Sequence, residues 1–225
     1  MSESENADES NNRGKKRNLP CGFLFTGVCF LIFIVVIFLC IFQFRIFDSP
    51  IAVENFDGEE EGGWLVLGDA QGESEFPTLQ KTGGNPGGYM EAVDDAVGGV
   101  WYWAAPETFR KAVSDRWSSG DGRSRAALTF DLRQSALDSP FEDEDVIFSN
   151  GTLSLSFNHN RPPEIGWTSY KVSLDVSKGW VNDEFGEAAS EEEMEKVLGN
   201  LEKLWIRGEF RTGPDTGGID NVIIR

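Results

Sequence analysis

Apolar and polar residues alternate with a period of two in several short runs of this chain. The clearest is Thr152-Leu-Ser-Leu-Ser-Phe157, where Leu153, Leu155 and Phe157 point one way and Thr152, Ser154 and Ser156 the other. That period describes an antiparallel strand with one face on a core and one in water. Leu128, Phe130 and Leu132 repeat it, as do Val172, Leu174 and Val176, with Tyr170 extending the run. Trp101 and Trp103 fall on one face of another strand and Tyr102 on the other. The two tryptophans are predicted core, since each such ring buries about 150–250 Å². The pattern leaves Tyr102, Trp117, Trp167 and Trp180 open between core and surface. Gly, Pro, Asn and Asp clusters separate the runs, and Gly83-Gly-Asn-Pro-Gly-Gly88 reads as a turn or loop.

One segment follows a period of 3.6 instead. Met194, Val197, Leu198, Leu201 and Leu204 make a single apolar stripe. Ser190 stands at its start as an N-cap, Glu193 completes a capping box, and Glu191 to Glu193 suit the positive end of the helix dipole. The spacing predicts a helix over 190–204, then a strand from Trp205 to Phe210. Many strands with one helix predict an all-β sandwich with a single short crossover helix.

A different pattern opens the chain. Phe23 to Phe44 runs for 22 residues without a charged side chain. At about 1.5 Å per residue that is about 33 Å, enough for a bilayer core. A cleaved signal peptide would have a shorter apolar region ending in small residues, and Leu39-Cys-Ile-Phe-Gln-Phe-Arg45 offers none. Arg13, Lys15, Lys16 and Arg17 precede the span and only Arg45 lies close behind it, which predicts a cytoplasmic N-terminus and an exterior domain. The expected organisation is a disordered cytoplasmic tail (1–20), a transmembrane signal anchor (21–46), a stalk (47–52) and a β-sandwich (53–225).

Charge and cysteine narrow the setting. From Asp48 onward there are 34 acidic and 15 basic residues, a net of −19. A surface this acidic argues against nucleic acid and anionic lipid head groups; it suits cations, a basic partner, or plain solubility. Cys21, Cys29 and Cys40 all lie in or beside the span, so the exported part holds no disulfide, and at this size it needs none. Cys21 sits at the cytoplasmic boundary, where palmitoylation occurs, although a plain membrane residue is the simpler reading.

Four segments carry a family resemblance. They are Gly99-Val-Trp-Tyr-Trp-Ala-Ala-Pro-Glu-Thr-Phe109, Ala127-Leu-Thr-Phe-Asp-Leu-Arg133, Asp145-Val-Ile-Phe-Ser-Asn-Gly-Thr-Leu-Ser-Leu-Ser-Phe157 and Met194-Glu-Lys-Val-Leu-Gly-Asn-Leu-Glu-Lys-Leu-Trp-Ile-Arg-Gly-Glu-Phe210. In order, and followed by Gly218-Ile-Asp-Asn-Val-Ile-Ile224, they resemble the laminin B domain, also called laminin domain IV type A. That family has a YW.APE.F strand, a G.L.F.L strand, a DV...G.GL.L pair and a VL.NLE.L.IR helix before its final strand. The resemblance spans about Val53 to Arg225. It implies a jelly-roll β-sandwich of the galactose-binding-like type, and an extracellular binding or adhesion module at the cell surface rather than an enzyme. The EGF-like repeats that flank such domains in laminins are missing, as are coiled-coil heptads, so laminin-like trimers are not implied.

The resemblance also implies where a metal would go. Similar sandwiches bring their first and last strands together and often hold a structural calcium there. Glu54 and Asp57 lie on or just after the first strand and Asp220 on the last, and they offer the hard oxygens calcium takes. Asn221 alternates to the other face. No catalytic set emerges. The single histidine, His159, lies in a polar Asn158–Asn160 turn and reads as an exposed loop residue, short of partners for a triad or a zinc site. Glu142-Asp-Glu-Asp145 reads as a solvated loop rather than a glycosidase pair. Asn150-Gly-Thr152 is an N-glycosylation sequon, relevant if the cell of origin is eukaryotic. The ligand, protein or glycan, is not legible. The expectations are therefore a membrane-tethered binding module, with a carbohydrate-binding module as the alternative and a hydrolase as the least favoured.

Overall fold

In the computed structural model the described residues are 32–37, 50–58, 62–69, 77–94, 99–119 and 126–225. The chain divides into two compact units, Met1–Ile46 and Phe47–Arg225. In the first, residues 32–37 form exposed helix. No helix among the described residues is long and apolar enough to cross a membrane. The remainder of the predicted span, and the predicted tail, lie outside the described residues.

The second unit begins with β1 (Ala52–Glu54), β2 (Leu65–Asp69), β3 (Thr78–Gly84), β4 (Gly87–Asp94), β5 (Gly99–Ala104), helix α1 (Glu107–Ser118) and β6 (Ala127–Gln134). It continues with β7 (Val146–Ser149), β8 (Ser154–Phe157), β9 (Thr168–Ser173), β10 (Val181–Asn182), β11 (Glu187–Ala188), helix α2 (Glu191–Gly199), β12 (Lys203–Arg207) and β13 (Asp215–Ile224). Two antiparallel sheets result. One runs β3-β4-β13-β6-β9, with β1 also on β13; the other runs β11-β10-β8-β7-β12-β5-β2. β13 is the spine of the first sheet. β6 pairs along one edge, while β4 pairs with its first half and β1 with residues 222–224 on its second. β1 starts one residue inside the predicted stalk, and the Ile51 amide is already bonded to the Ile224 carbonyl.

The core lies between the sheets, as the alternation predicts. Met90, Leu128, Phe130, Leu132 and Ile219 face Trp103, Val146, Phe148, Leu155, Leu204 and Ile206, all buried. Trp101 and Trp103 are core, and their rings meet edge-on at 5.0 Å. Trp180 and Trp117 join them, with the Trp180 indole donating to the Ser173 carbonyl at 2.8 Å. Taking one tryptophan's roughly 200 Å² out of water contributes on the order of 5 kcal/mol, several times a helix cap.

Three local readings need correction. Among its described residues, the second unit contains two α-helices, not one. Pro106 ends β5 and opens α1, whose buried residues Phe109, Val113 and Trp117 recur every four positions. Charged residues between them hide that period. Secondly, α2 stops at Gly199, so Leu201 and Leu204 are buried from the following turn and from β12 rather than from the helix. Ser190 does form the predicted capping box with Glu193. Thirdly, β9 ends at Ser173; Val176 belongs to a 3-10 turn started by Asp175, whose carboxylate accepts from the Ser177 amide at 2.9 Å.

Candidate functional site

The residues predicted as metal ligands lie around one corner of the six-stranded sheet. Glu54 pairs with Val222, and its carboxylate accepts from the Phe56 amide. Asp220 sits two residues away, wholly buried, directly opposite Asp131 of β6. The tip of the β3–β4 hairpin folds over it. The Asn85 amide donates to Asp220 Oδ2 at 2.6 Å, and Asn85 Nδ2 donates to Asp131 Oδ2 at 3.2 Å. Asp57 anchors the same hairpin, Oδ1 accepting from the Gly88 amide at 2.9 Å. Gly84 makes this approach possible: a Cβ there would stand 2.1 Å from the Gly88 carbonyl oxygen and 2.7 Å from Asp220 Oδ2. Asn221 is not on the other face. A bulge after Asp220 gives it φ 52° and swings its amide onto Asp131 Oδ2 at 2.8 Å.

The electrostatics of this corner are one-sided. Burial, followed by the charges of Asp131 and Asp57, pushes the Asp220 carboxyl up to about 6. None of the three carboxylates forms an ion pair with a described lysine or arginine. Hard oxygens, a buried carboxylate and uncompensated charge suit a divalent cation in donor chemistry. Among the described residues, however, no three His, Cys, Asp or Glu side chains gather at ligating distance.

Beside this corner the outer face of the six-stranded sheet carries a closed polar and aromatic network. Arg133 pairs with Glu91 at 3.2 Å and stacks over Tyr89, its guanidinium 4.4 Å from the ring centre. Trp167 meets Tyr89 edge-on at 5.3 Å and donates its indole N–H to the Gly83 carbonyl at 2.9 Å. Each member satisfies another, so the network braces the hairpin.

The outer face of the seven-stranded sheet is built differently. Register places Leu65, Ala104, Trp205 and Ile147 in one row across β2, β5, β12 and β7. Leu67, Tyr102 and Arg207 form the next. Ala104 is far smaller than its neighbours, and a cavity of about 360 Å³ lies where its side chain stops. Leu65, Leu67 and Ala104 line its floor and Trp205 its wall, with Glu107, Arg110, Glu202 and Lys203 around it.

That wall is held from behind. Tyr102 lies against Trp205 at 5.4 Å and donates its hydroxyl to Asp143 Oδ1 at 2.9 Å. Burial drives its proton affinity far above the ordinary tyrosine range. Asp143 belongs to the acidic loop predicted to be solvated. Glu142 and Glu144 are exposed, but Asp145 is buried against Arg207, itself 2% exposed, at 3.3 Å. Arg207 also donates to the carbonyls of Phe141, Asp143 and Glu209, and lies between the rings of Phe141 and Phe210. A buried pair satisfied this completely fixes a loop more than it stabilises a fold. Burial of Asp143 opposes its ionisation, yet hydrogen bonds from Glu144 and Tyr102 and the Arg207 charge hold it below the usual carboxylate range.

His159 also departs from expectation. It is half-buried in a cage of aromatic rings, 4.3 Å from Tyr170 and 5.6 Å from both Phe130 and Phe157. Its Nε2 has no hydrogen-bond partner. Burial pushes its pKa down to about 4. The imidazole is held neutral and packed among rings, rather than free in an open turn.

A family model described as Laminin B (Domain IV) matches residues 102–225. The chain belongs to this family. The match begins at Tyr102 and runs to the end of β13, so it takes in Trp205 and the acidic loop. Among solved structures, the fold is similar to the L4b domain of human laminin alpha-2, with a TM-score of 0.54 at 11% identity, over 77% of this chain and 97% of that one. A family 11 carbohydrate-binding module of a Clostridium thermocellum cellulase is looser, with a TM-score of 0.45 at 14% identity over 78% and 95%. No curated protein matches the chain.

The laminin B domain also presents its sequon. Asn150 lies in the turn between β7 and β8, where Oδ1 accepts from the Thr152 amide at 3.1 Å and its hydroxyl at 3.0 Å. Gly151 and Thr152 are exposed. Sequence reasoning named Tyr102 without placing it, and missed Ala104 and Trp205 as site residues. The alternation Lys203-Leu-Trp-Ile-Arg207 puts Trp205 on the face opposite Leu204 and Ile206, which was the available signal.

Proposed function

We propose that this chain is a single-pass, membrane-anchored laminin B module whose domain faces outward and works by binding, without chemistry, in cell-surface recognition or adhesion. The observation that carries the reading is the outer face of the seven-stranded sheet. An aromatic wall, a small-residue floor and charged residues are held there by a clamped loop, which is how binding sites are pre-organised. The charge-free span and the basic cluster before it support the tether and its direction. A calcium ion at the corner of Glu54, Asp57 and Asp220, argued from donor chemistry alone, belongs to the same reading. It would offset the negative charge there and pin the β3–β4 hairpin.

Intact cells carrying a tag at each end test the topology. Protease added outside is expected to remove the C-terminal tag and spare the N-terminal one; a protected C-terminus overturns the orientation. Beads coated with the protein are expected to retain cells or matrix in a way that Trp205→Ala reduces. Turnover of a polysaccharide would replace the binding reading with a hydrolase.

A further inference from the structure

We infer that the notch over Ala104 on the seven-stranded sheet takes a neutral oligosaccharide, with Trp205 as its stacking wall. The inference rests on the binding-module reading and adds the ligand class.

The argument begins with shape. About 360 Å³ falls at the lower end of small-ligand sites, large enough for a sugar unit or two and small for a folded partner. Gly63, Glu107 and Glu202 along its margin are exposed, so the notch opens to water. The floor is apolar and the wall aromatic. A pyranose has a patch of C–H groups on its face and hydroxyls around its edge, so it needs this arrangement: apolar below, an aromatic ring alongside, donors and acceptors at the rim.

The rim supplies both. Arg110 is fixed by its Nε on the Ala105 carbonyl at 3.1 Å and by Nη1 on the Glu202 carbonyl, and it lies beside Glu107. Lys203 lies over the Trp205 ring, its ammonium 4.0 Å from the centre, so a stacking sugar takes its place on that face and leaves the ammonium at the rim. Glu202 is steadied by Asn200, whose amide donates to Oε1 at 3.1 Å. Two cations and two carboxylates make the rim neutral, so it favours neither a uronic acid nor an amine. The −19 net charge from Asp48 onward adds a field that works against acidic glycans. A purely apolar ligand is disfavoured too, because it would strip water from four charged groups without replacing it.

The wall is also prepared in advance. Trp205 does not wait for a ligand to order it: Tyr102 backs it, Asp143 holds Tyr102, and Arg207 holds the loop that carries Asp143. Ordering costs that a flexible ring would incur on binding are already met in folding.

The test uses the full chain in lipid nanodiscs, titrated with cellotetraose, laminaritetraose, mannotetraose and chitotetraose, and with tetragalacturonate as the charged comparison. Calorimetry and tryptophan fluorescence report binding, and thermal melting reports folding. At least one neutral tetrasaccharide is expected to bind, and tetragalacturonate at least tenfold more weakly. Ala104→Leu, which fills the notch, and Trp205→Ala are each expected to weaken binding at least tenfold. Trp167→Ala on the other sheet is expected to leave it within twofold. If a variant melts early, the milder Ala104→Val replaces it. Silence across the neutral panel, stronger binding of tetragalacturonate, or binding indifferent to Ala104→Leu at unchanged melting overturns the inference. Retention of cells or matrix by coated beads in the face of those results would leave the binding-module reading standing and remove only the sugar.

Discussion

Asp220 and His159 titrate in the same acid range with opposite signs, and both signs follow from burial. The Asp220 carboxyl is held up near 6, against about 3.9 in an unfolded chain. The folded state therefore binds its proton more tightly. Its stabilising share is complete below about 3.9 and lost as pH rises through 6, so at pH 7.5 the ionised group costs stability. Asp220→Asn removes that cost, up to about 3 kcal/mol for two pK units, and gives up one amide hydrogen bond of about 1 kcal/mol. In chelator at pH 7.5 the variant is expected to be about 1–2 kcal/mol more stable than wild type, with the gap closing toward pH 4. In calcium the order is expected to reverse, because the cation prefers the carboxylate. The same order in calcium and chelator, by denaturant melts, removes the cation from this corner.

For His159 the folded pKa is near 4, against about 6.5 unfolded. The unfolded chain takes the proton first. The contribution is complete above 6.5 and is lost as pH falls through that value toward 4. His159→Leu, which keeps an apolar group in the cage, is expected to flatten the acid limb of the stability curve between pH 6.5 and 4. An unchanged limb would mean the imidazole is hydrated in the native state. The burial of neither residue was legible from its neighbours in sequence. His159 is flanked by asparagines, and the cage that buries it comes from Phe130 and Tyr170 on two other strands.

At the scale of elements, α2 separates local signal from tertiary signal. Its start was legible because a cap and its box are written within four residues. Ser190→Ala is expected to cost about 1 kcal/mol, read from denaturant unfolding. Its end was not legible, because Leu201 and Leu204 continue the apolar count while β12 claims the backbone. Leu198 is buried on the helix itself. Leu198→Asp is expected to lose about 3 kcal/mol or more, and wild-type melting would show that the α2 stripe is not packed. α1 escaped notice for a related reason: Phe109, Val113 and Trp117 are three apolar residues diluted by charge. Strands read more easily. A period of two needs only five or six residues to declare itself, and Ala127–Gln134 and Ser154–Phe157 did so. The acidic loop shows the limit, since nothing in Glu142–Asp145 announces that Arg207, more than 60 positions on, reaches back to bind it.

At the scale of the whole molecule, the two-sheet sandwich was legible and its working surfaces were not. Inward residues repeat by rule, whereas an outer face becomes a site only through which strands lie side by side, and Ala104 between Leu65 and Trp205 is a fact of register. The proposed outward orientation carries a further expectation. Expressed in a glycosylating host, the chain is expected to carry one N-linked glycan, at Asn150, the sole sequon in the sequence. Glycosidase treatment is expected to shift its mass, and Thr152→Ala to abolish the shift. An unmodified chain at the cell surface would count against the turn at Asn150 being accessible during export.

The pairing of β1 with the end of β13 sets how such a molecule would bear a load. The chain enters the domain at Ile51, beside the end of β13, and the two are joined by the Ile51–Ile224 hydrogen bond and the three-residue ladder beyond it. Tension arriving through the N-terminal segment along the strand axis would therefore pull β1 lengthwise past the spine of the six-stranded sheet. Its bonds would have to break together rather than peel one after another. If the proposed anchor and binding notch both hold, a tug through the N-terminal segment meets the β1–β13 ladder before it reaches the notch on the opposite sheet, and a bound partner is held under force without the site being deformed.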